Sequence, residues 1–185
     1  MPTFRQQSFL ATLRLGAHPV HTLEALTGAA VWVNWFGGAG LLPGLTSTVR
    51  NDSHLLGCQA SPDTSPLLLY FRLSPKGYRL YVREPGKHFG HGVRLFERFL
   101  GVAALDTQDP QPLILKDDAG KVVSLMDLEG DEQRLTFECA GAAVTLGQRT
   151  NSPHRYLAQG GAVPARWTLS IVERNVPWLS QPYEA

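Results

Sequence analysis

Short runs of alternating apolar and polar residues, joined by tight turns, occupy most of the chain from residue 66 to residue 173. In residues 78–83, Tyr78, Leu80 and Val82 alternate with more polar neighbours. Because successive side chains of a strand point to opposite faces, this period indicates strands with one buried and one solvated face. Strands at intervals of about 8–12 residues, with turns rich in Gly, Pro and Asp, are typical of a barrel or a sandwich. The sequence therefore predicts a mainly β fold, in a compact barrel.

The same pattern predicts strands over residues 67–73, 78–83, 113–116, 121–128, 134–139, 143–146 and 155–159, with a last strand that begins at Trp167. Two segments have helical features instead. Polar and apolar residues alternate at helical spacing in 93–104, which predicts a short amphipathic helix. Near residues 18–26, Pro19 suits the first position of a second short helix and Gly28 suits its C-terminal cap. The expected fold thus has one or two short helices, and an α+β class is the alternative.

The chain of 185 residues is predicted to form a single domain, 1–185, and a polar stretch at 50–66 is predicted to be a surface loop or an internal boundary. Hydrophobic residues make up 43% and charged residues 18% of the chain, which argues against disorder.

The net charge of +1 generates no field that attracts nucleic acid, which is excluded as a partner. The first 15 residues lack the apolar core of a signal peptide. We therefore expect a cytoplasmic protein, or one exported without a cleaved signal peptide.

The residues that usually carry chemistry do not form a known catalytic or metal-binding motif. Cys58 and Cys139 lie among apolar residues and are expected to be buried free thiols. His88 and His91 are spaced to reach one ion but lack a third ligand in a known pattern, so no metal and no cofactor is predicted. The chain has no nucleophile elbow and no phosphate-binding loop. Enzymatic activity is not expected, although a hydrolase site that uses His88, His91 or His154 stays open.

An uncharged stretch at 25–49 carries three aromatic residues, Trp32, Trp35 and Phe36, next to a loop rich in Gly and Pro. These glycines and Pro43 make a transmembrane helix a poor interpretation. A strand over 30–36 is predicted instead, with Trp32, Asn34 and Phe36 on one face. The aromatic residues either pack in the core, or form a stacking platform for a sugar, or belong to an apolar loop that contacts a membrane or a partner.

The strands at 143–147, 156–159 and 166–169 resemble one lobe of a β-trefoil. In that family a lobe often runs from a strand through a turn to a Tyr-Leu strand, here at Tyr156, and then to a strand with an inward Trp, here Trp167. The Gln-x-Trp signature of the ricin-type sugar-binding branch is absent, because Gln159 lies eight positions before Trp167. The resemblance implies a β-trefoil-like domain as the other form of the expected barrel, a fold that serves glycan binding and protein inhibition without choosing between them.

We therefore predict a non-enzymatic recognition module that binds a glycan or a protein partner. The predicted ligand-binding residues are Trp32, Asn34, Trp35, Phe36, Tyr156 and Trp167. One alternative is a membrane-acting toxin component that uses the apolar segment 30–45. Another is a small hydrolase with a histidine-containing site. The sequence leaves the oligomeric state open.

Overall fold

The computed structural model describes residues 3, 5–34, 49–61, 63–105, 109–161 and 163–177, which form an almost entirely β structure. The strands and the α-helix of these residues are β1 (Phe9–Leu15), β2 (His18–Thr22), α1 (Leu23–Thr27), β3 (Trp32–Asn34), β4 (Val49–Asn51), β5 (Leu56–Cys58), β6 (Leu69–Ser74), β7 (Gly77–Val82), β8 (Gly92–Phe96), β9 (Phe99–Ala103), β10 (Pro112–Lys116), β11 (Glu132–Cys139), β12 (Ala142–Gln148), β13 (Arg155–Gln159) and β14 (Trp167–Arg174). The predicted mainly β class is confirmed. The α+β alternative is wrong, because α1 has only five residues.

Twelve of these strands form one antiparallel sheet that closes on itself, which confirms the predicted barrel. The shortest closed path of hydrogen-bonded neighbours runs from β1 through β6, β7, β10, β11 and β14 back to β1. We call these six strands the ring. Closure leaves the ring without an unpaired edge, which is how many antiparallel folds avoid edge-to-edge association.

The twelve strands divide into three consecutive groups of four with one pairing scheme. In each group the first strand pairs with the second and the fourth, and the second pairs with the third. The groups are β1-β2-β5-β6, β7-β8-β9-β10 and β11-β12-β13-β14. The second and third strands of each group form a hairpin outside the ring. The three hairpins pair with one another through β13–β5, β13–β9 and a bridge between Leu55 and Gly101, and together we call them the hairpin cap.

The inside of the barrel is filled by alternate residues of the ring strands. In β14, Trp167, Leu169 and Ile171 are buried, whereas Val172 is exposed, as the alternation of this strand predicts. The other ring strands contribute Phe9, Ala11, Leu13, Leu69, Phe71, Tyr78, Leu80, Val82, Leu113, Leu115, Leu135, Phe137 and Cys139 to the same apolar cluster. The period-two pattern therefore identifies the core of the barrel.

Cys58 and Cys139 are buried free thiols, as predicted. Burial raises the pKa of each thiol to about 11, because the thiolate loses its solvation inside the protein. Since the thiolate is the reactive form, neither cysteine is an activated nucleophile in the native state.

The predicted helix over 93–104 is wrong, because this segment forms the hairpin of β8 and β9. Phe96 pairs with Phe99, so Glu97 and Arg98 make a two-residue turn, with Glu97 at a φ of 60°. Strand β9 is buried on both faces, which gives a continuous apolar run. Such a run lacks the alternation of a half-exposed strand, and its spacing cannot be told from that of a helix.

Two other predicted elements differ from the structure. The helix near residues 18–26 begins only at Leu23, because His18–Thr22 is a strand, although Gly28 does form the predicted cap with a φ of 72°. The strand predicted over 121–128 is reduced to one bridge at Val122 and a 3-10 turn at Leu125–Asp127. Ser124 and the Asp127 carboxylate cap this turn reciprocally, which favours it over a strand.

The segment 50–66, predicted to be a surface loop or an internal boundary, contains two short strands in its first half. Residues 49–51 and 56–58 are strands, and Asp52, Leu55 and Leu56 are buried. Two of its polar residues, Asp52 and Ser53, are buried and serve the hydrogen bonds described below. The strand predicted over 30–36 is observed at Trp32–Asn34, and residues 35 and 36 lie outside the described part of the chain.

The barrel core predicts a large difference between two neighbouring substitutions in β14. Trp167→Ala leaves a cavity among the ring strands and is expected to lower the free energy of unfolding by about 3–5 kcal/mol. Val172→Ala removes an exposed side chain of the same strand and is expected to change it by only about 0.5 kcal/mol. Urea denaturation followed by tryptophan fluorescence and circular dichroism measures both. Equal losses for the two variants would contradict the assigned faces of β14.

Candidate functional site

The first group of strands differs from the other two in the connection between its second and third strands. Two residues join β8 to β9, and residues 149–154 join β12 to β13. In contrast, residues 23–55 lie between β2 and β5 and contain α1, β3 and β4. Since functional sites usually lie where loops depart from a regular scaffold, this insertion is the strongest candidate for one. We call β3 and β4 the insertion hairpin.

The insertion hairpin rests on the hairpin cap through its inner face. Val31 and Val33 are buried in a second apolar cluster. Its other members are Leu23, Leu26, Leu55, Phe99, Tyr156 and Ala158. The Val31 N–H donates a hydrogen bond of 2.9 Å to Ser53 Oγ, and the Asp52 N–H donates one of 2.9 Å to the Val31 carbonyl. These contacts fix the base of the insertion hairpin against all three groups of strands.

A fully buried carboxylate, that of Asp52, lies beneath the hairpin. The Tyr156 hydroxyl donates to Asp52 Oδ2 at 3.0 Å, and Arg149 Nη1 donates to Asp52 Oδ1 at 3.1 Å. Ser152 Oγ lies 2.6 Å from the Tyr156 hydroxyl. Burial raises the pKa of Tyr156 to about 12, so it stays a hydrogen-bond donor at neutral pH. A buried charge needs such partners, because an unpaired one costs several kcal/mol (about 3–5).

A pocket of about 220 Å³ opens beside this network. Its lining residues are Val33, Arg50, Glu97, Phe99, Arg149 and Thr150. The Arg149 guanidinium lies over the Phe99 ring, 4.5 Å from its centroid. Arg50 Nη2 donates to Glu97 Oε1 at 2.6 Å, and Arg149 Nη2 lies 3.5 Å from Glu97 Oε2. The hydrogen bond from Arg50 lowers the pKa of Glu97, which is therefore ionised at neutral pH. The pocket thus holds a carboxylate between two guanidinium groups.

The outer face of the insertion hairpin is exposed. Trp32 pairs with Asn51 and Asn34 pairs with Val49, so the four side chains share the face opposite to Val33. The Trp32 side chain is 61% exposed, and its three neighbours are also exposed. Asn51 Oδ1 accepts from the Ser53 N–H at 2.9 Å, which orients this amide beside the indole. An indole flanked by side-chain amides presents both an aromatic face and hydrogen-bonding groups to a ligand.

The structure brings together only some of the predicted ligand-binding residues. Trp32 and Asn34 share the outer face, whereas Trp35 and Phe36 lie outside the described residues. Tyr156 is fully buried and supports Asp52, and Trp167 is fully buried in the barrel, where its indole N–H donates to the Val144 carbonyl. Because neither side chain is exposed, Tyr156 and Trp167 are left out of the candidate site, and their predicted contact with a ligand stays a prediction.

The sequence analysis did not identify several residues of the pocket and of the buried network beside it. Arg149 and Asp52 are 97 positions apart, and no local pattern links them. Glu97 did leave a signal, because Glu97 and Arg98 separate two apolar runs, as a two-residue hairpin turn does. The helical interpretation of 93–104 concealed it.

His88 and His91 lie together, with their Nδ1 atoms 3.3 Å apart. His88 lines a second pocket of about 220 Å³, together with His21, Glu24 and Glu84. His154 does not line this pocket, and its Nδ1 lies 3.3 Å from Gln59 Oε1. Among the residues that the structure describes, no group of three His, Cys, Asp or Glu side chains is arranged to hold a metal ion.

One feature of the second pocket has the connectivity of a catalytic triad. Thr22 Oγ1 lies 3.2 Å from His21 Nδ1, and His21 Nε2 lies 3.2 Å from Glu84 Oε1. The Thr22 backbone N–H also donates to His21 Nδ1, so this nitrogen is already an acceptor and Nε2 faces Glu84. Thr22 lines the pocket but is almost fully buried, and the one lone pair of His21 Nδ1 accepts from the backbone N–H, so it does not take the proton of the hydroxyl. The arrangement anchors β2, and it does not support the hydrolase alternative.

Comparisons with known proteins do not supply a function. The chain matches no protein-family model, no curated protein and no solved structure. Within the described ranges, every helix is too short or too polar to cross a lipid bilayer.

The buried carboxylate predicts a large effect from a small substitution. Asp52→Asn removes the buried counter-charge of Arg149, leaves only the partly exposed Glu97 beside it, and is expected to lower the free energy of unfolding by about 3–5 kcal/mol. Asp118→Asn is the matched control, because Asp118 forms an exposed pair with Arg166, and its loss is expected to cost about 0–1 kcal/mol. Urea denaturation at neutral pH measures both. A loss for Asp52→Asn no larger than that of the control contradicts the role given to this network.

The paired histidines predict a dependence of stability on pH. Burial lowers the pKa of His88 and of His91 below 6.5, and for His88 the nearby His91 and Lys87 lower it further. Below pH 6.5 the unfolded chain therefore binds protons that the folded chain does not, and stability falls as the pH falls. The double variant with His88→Gln and His91→Gln is expected to lose less stability than the wild type between about pH 7 and about pH 5. Equal losses in urea denaturation would refute this assignment.

Proposed function

We propose that this protein is a non-enzymatic recognition module that binds a glycan on the outer face of the insertion hairpin. The observation that carries the proposal is the exposed Trp32, with Asn34 two positions along its strand and Asn51 directly opposite. The apolar face of a sugar ring stacks on an indole, while amide groups donate to and accept from its hydroxyls. Leaving a large aromatic side chain in water forfeits roughly 2–3 kcal/mol of burial, which a stacked ligand recovers.

The hairpin is suited to this role because its position is fixed from below. Val33 and Asp52 tie it to the hairpin cap, so its outer face is presented without a large cost in ordering on binding. The Asn34 carbonyl also lies 3.5 Å from Asn151 Nδ2 of the third group of strands. A preorganised platform of this kind is what a recognition module needs.

We also infer that the scaffold is a β-trefoil. A β-trefoil consists of three similar lobes, and the three groups of four strands with one pairing scheme support this assignment. The three hairpins that join one another outside the ring support it as well. The fold serves both glycan binding and protein inhibition, so it is compatible with the proposed function without selecting it.

A glycan array with two variants tests the proposal. The wild type is expected to bind at least one glycan, and Trp32→Ala is expected to weaken that binding by roughly tenfold or more, whereas Trp32→Phe retains part of it. Met126→Ala is the control, because Met126 is equally exposed but lies on a 3-10 turn away from the insertion hairpin. The proposal fails when the wild type binds no glycan, or when Trp32→Ala binds as the wild type does.

The same variants separate this function from the membrane-acting alternative. That alternative uses residues 30–45, of which the structure describes 30–34. We expect the wild type neither to bind nor to permeabilise liposomes of phosphatidylcholine and phosphatidylserine. Dye release that requires Trp32 would favour the toxin hypothesis over glycan recognition.

A further inference from the structure

The inner side of the insertion hairpin carries a second arrangement suited to a ligand, independent of the outer face. In the pocket lined by Val33, Phe99 and Thr150, the guanidinium groups of Arg50 and Arg149 flank one carboxylate, that of Glu97. Arginine is the residue best suited to hold a carboxylate, because its planar group offers several donors in a fixed geometry.

Arg149 is only partly satisfied by the contacts of the described residues. Its Nη1 donates to Asp52, which fixes the guanidinium plane over Phe99. Its Nε and Nη2 are buried and have no hydrogen-bond partner among the described residues, although Nη2 is 3.5 Å from Glu97 Oε2. Buried donors left without a partner cost free energy. The Arg149 guanidinium therefore suits an acceptor that comes closer to it than the Glu97 carboxylate does.

Glu97 occupies its place at a cost to the backbone. It lies in the two-residue turn between β8 and β9 with a φ of 60°, a conformation that favours Gly, Asn or Asp. Its side chain is 53% exposed, so it can turn away without disturbing the core. The requirements of the turn do not explain a glutamate here, whereas the bridge between Arg50 and Arg149 does.

The balance of charges defines the ligand that fits. Asp52 neutralises one of the two guanidinium groups from below. When the Glu97 carboxylate leaves, the pocket retains one net positive charge, which matches a monoanion better than a dianion such as phosphate. A volume of about 220 Å³ with walls from Val33 and Phe99 admits a small ligand with one apolar face.

We propose that this pocket binds the carboxylate group of a small ligand, which replaces the Glu97 carboxylate between Arg50 and Arg149. The site goes beyond the proposed function, because it lies on the opposite side of the insertion hairpin from Trp32 and uses none of the same side chains. Glu97 acts as a built-in competitor that keeps the two arginines paired until the ligand arrives.

The experiment compares glucuronate with glucose, a matched neutral sugar, by titration of the ¹⁵N-labelled full chain in NMR. Glu97→Gln keeps the shape of the side chain and removes its charge, and Glu97→Gly removes the side chain while suiting the positive φ. Both variants are expected to bind glucuronate at least roughly tenfold more tightly than the wild type, with shifts centred on β9 and residues 149–150. Glucose is expected to cause no such shifts. The double variant with Arg50→Gln and Glu97→Gln is expected to lose the gain.

The proposal is overturned when neither Glu97 variant binds glucuronate more tightly than the wild type, or when Arg50→Gln leaves the gain intact. Inorganic phosphate that binds as tightly as glucuronate overturns the choice of a carboxylate. Thermal unfolding checks that the variants are folded. Trp32→Ala is expected to leave glucuronate binding unchanged, so failure at the outer face and failure at this pocket are distinguishable.

Discussion

The antiparallel pairing of β1 with β14 joins the first strand of the ring to the last and closes the barrel. Without it the ring would have two open edges, and the residues that alternate inward along both strands would lose their cover. The pairing shifts register between Leu10 and Ala11, and the bond from the Val176 N–H to the Ser8 carbonyl extends it past the strands. Each hairpin of the cap is paired to a strand of the ring. Closure of the ring therefore also fixes where the three hairpins meet.

The buried Asp52 carboxylate then links the insertion hairpin to this scaffold. Its partners, Arg149 and Tyr156, belong to the third group of strands, whereas Asp52 itself follows β4 of the insertion. The same guanidinium that neutralises Asp52 also lines the pocket, so the structural and the candidate binding roles of Arg149 meet in one side chain. The two candidate binding surfaces lie on opposite faces of the three-residue strand β3. Val33 points to the pocket and Trp32 to solvent, because neighbouring side chains of a strand alternate.

Much of the barrel follows from local pattern. The alternation of Trp167, Leu169 and Ile171 identified the inward face of β14, and the short break between the predicted strands 67–73 and 78–83 identified the hairpin of β6 and β7. The pattern failed where strands are covered on both faces, as in β9, since burial on both sides removes the polar alternation that marks a strand. The pattern also failed to identify the strands within 50–58, because Asp52 in this polar segment forms a buried contact with Arg149.

The sequence alone determined the strand-rich class, the inward faces of the half-exposed ring strands and the burial of both cysteines, because each depends on side-chain polarity read along a few consecutive residues. Only the tertiary structure decided that Asp52 meets Arg149, that Glu97 lies between two arginines, and that Trp32 is exposed while Trp167 is enclosed. Those contacts join residues far apart in the chain, and they exist because ring closure and the hairpin cap bring the three groups of strands together at one place.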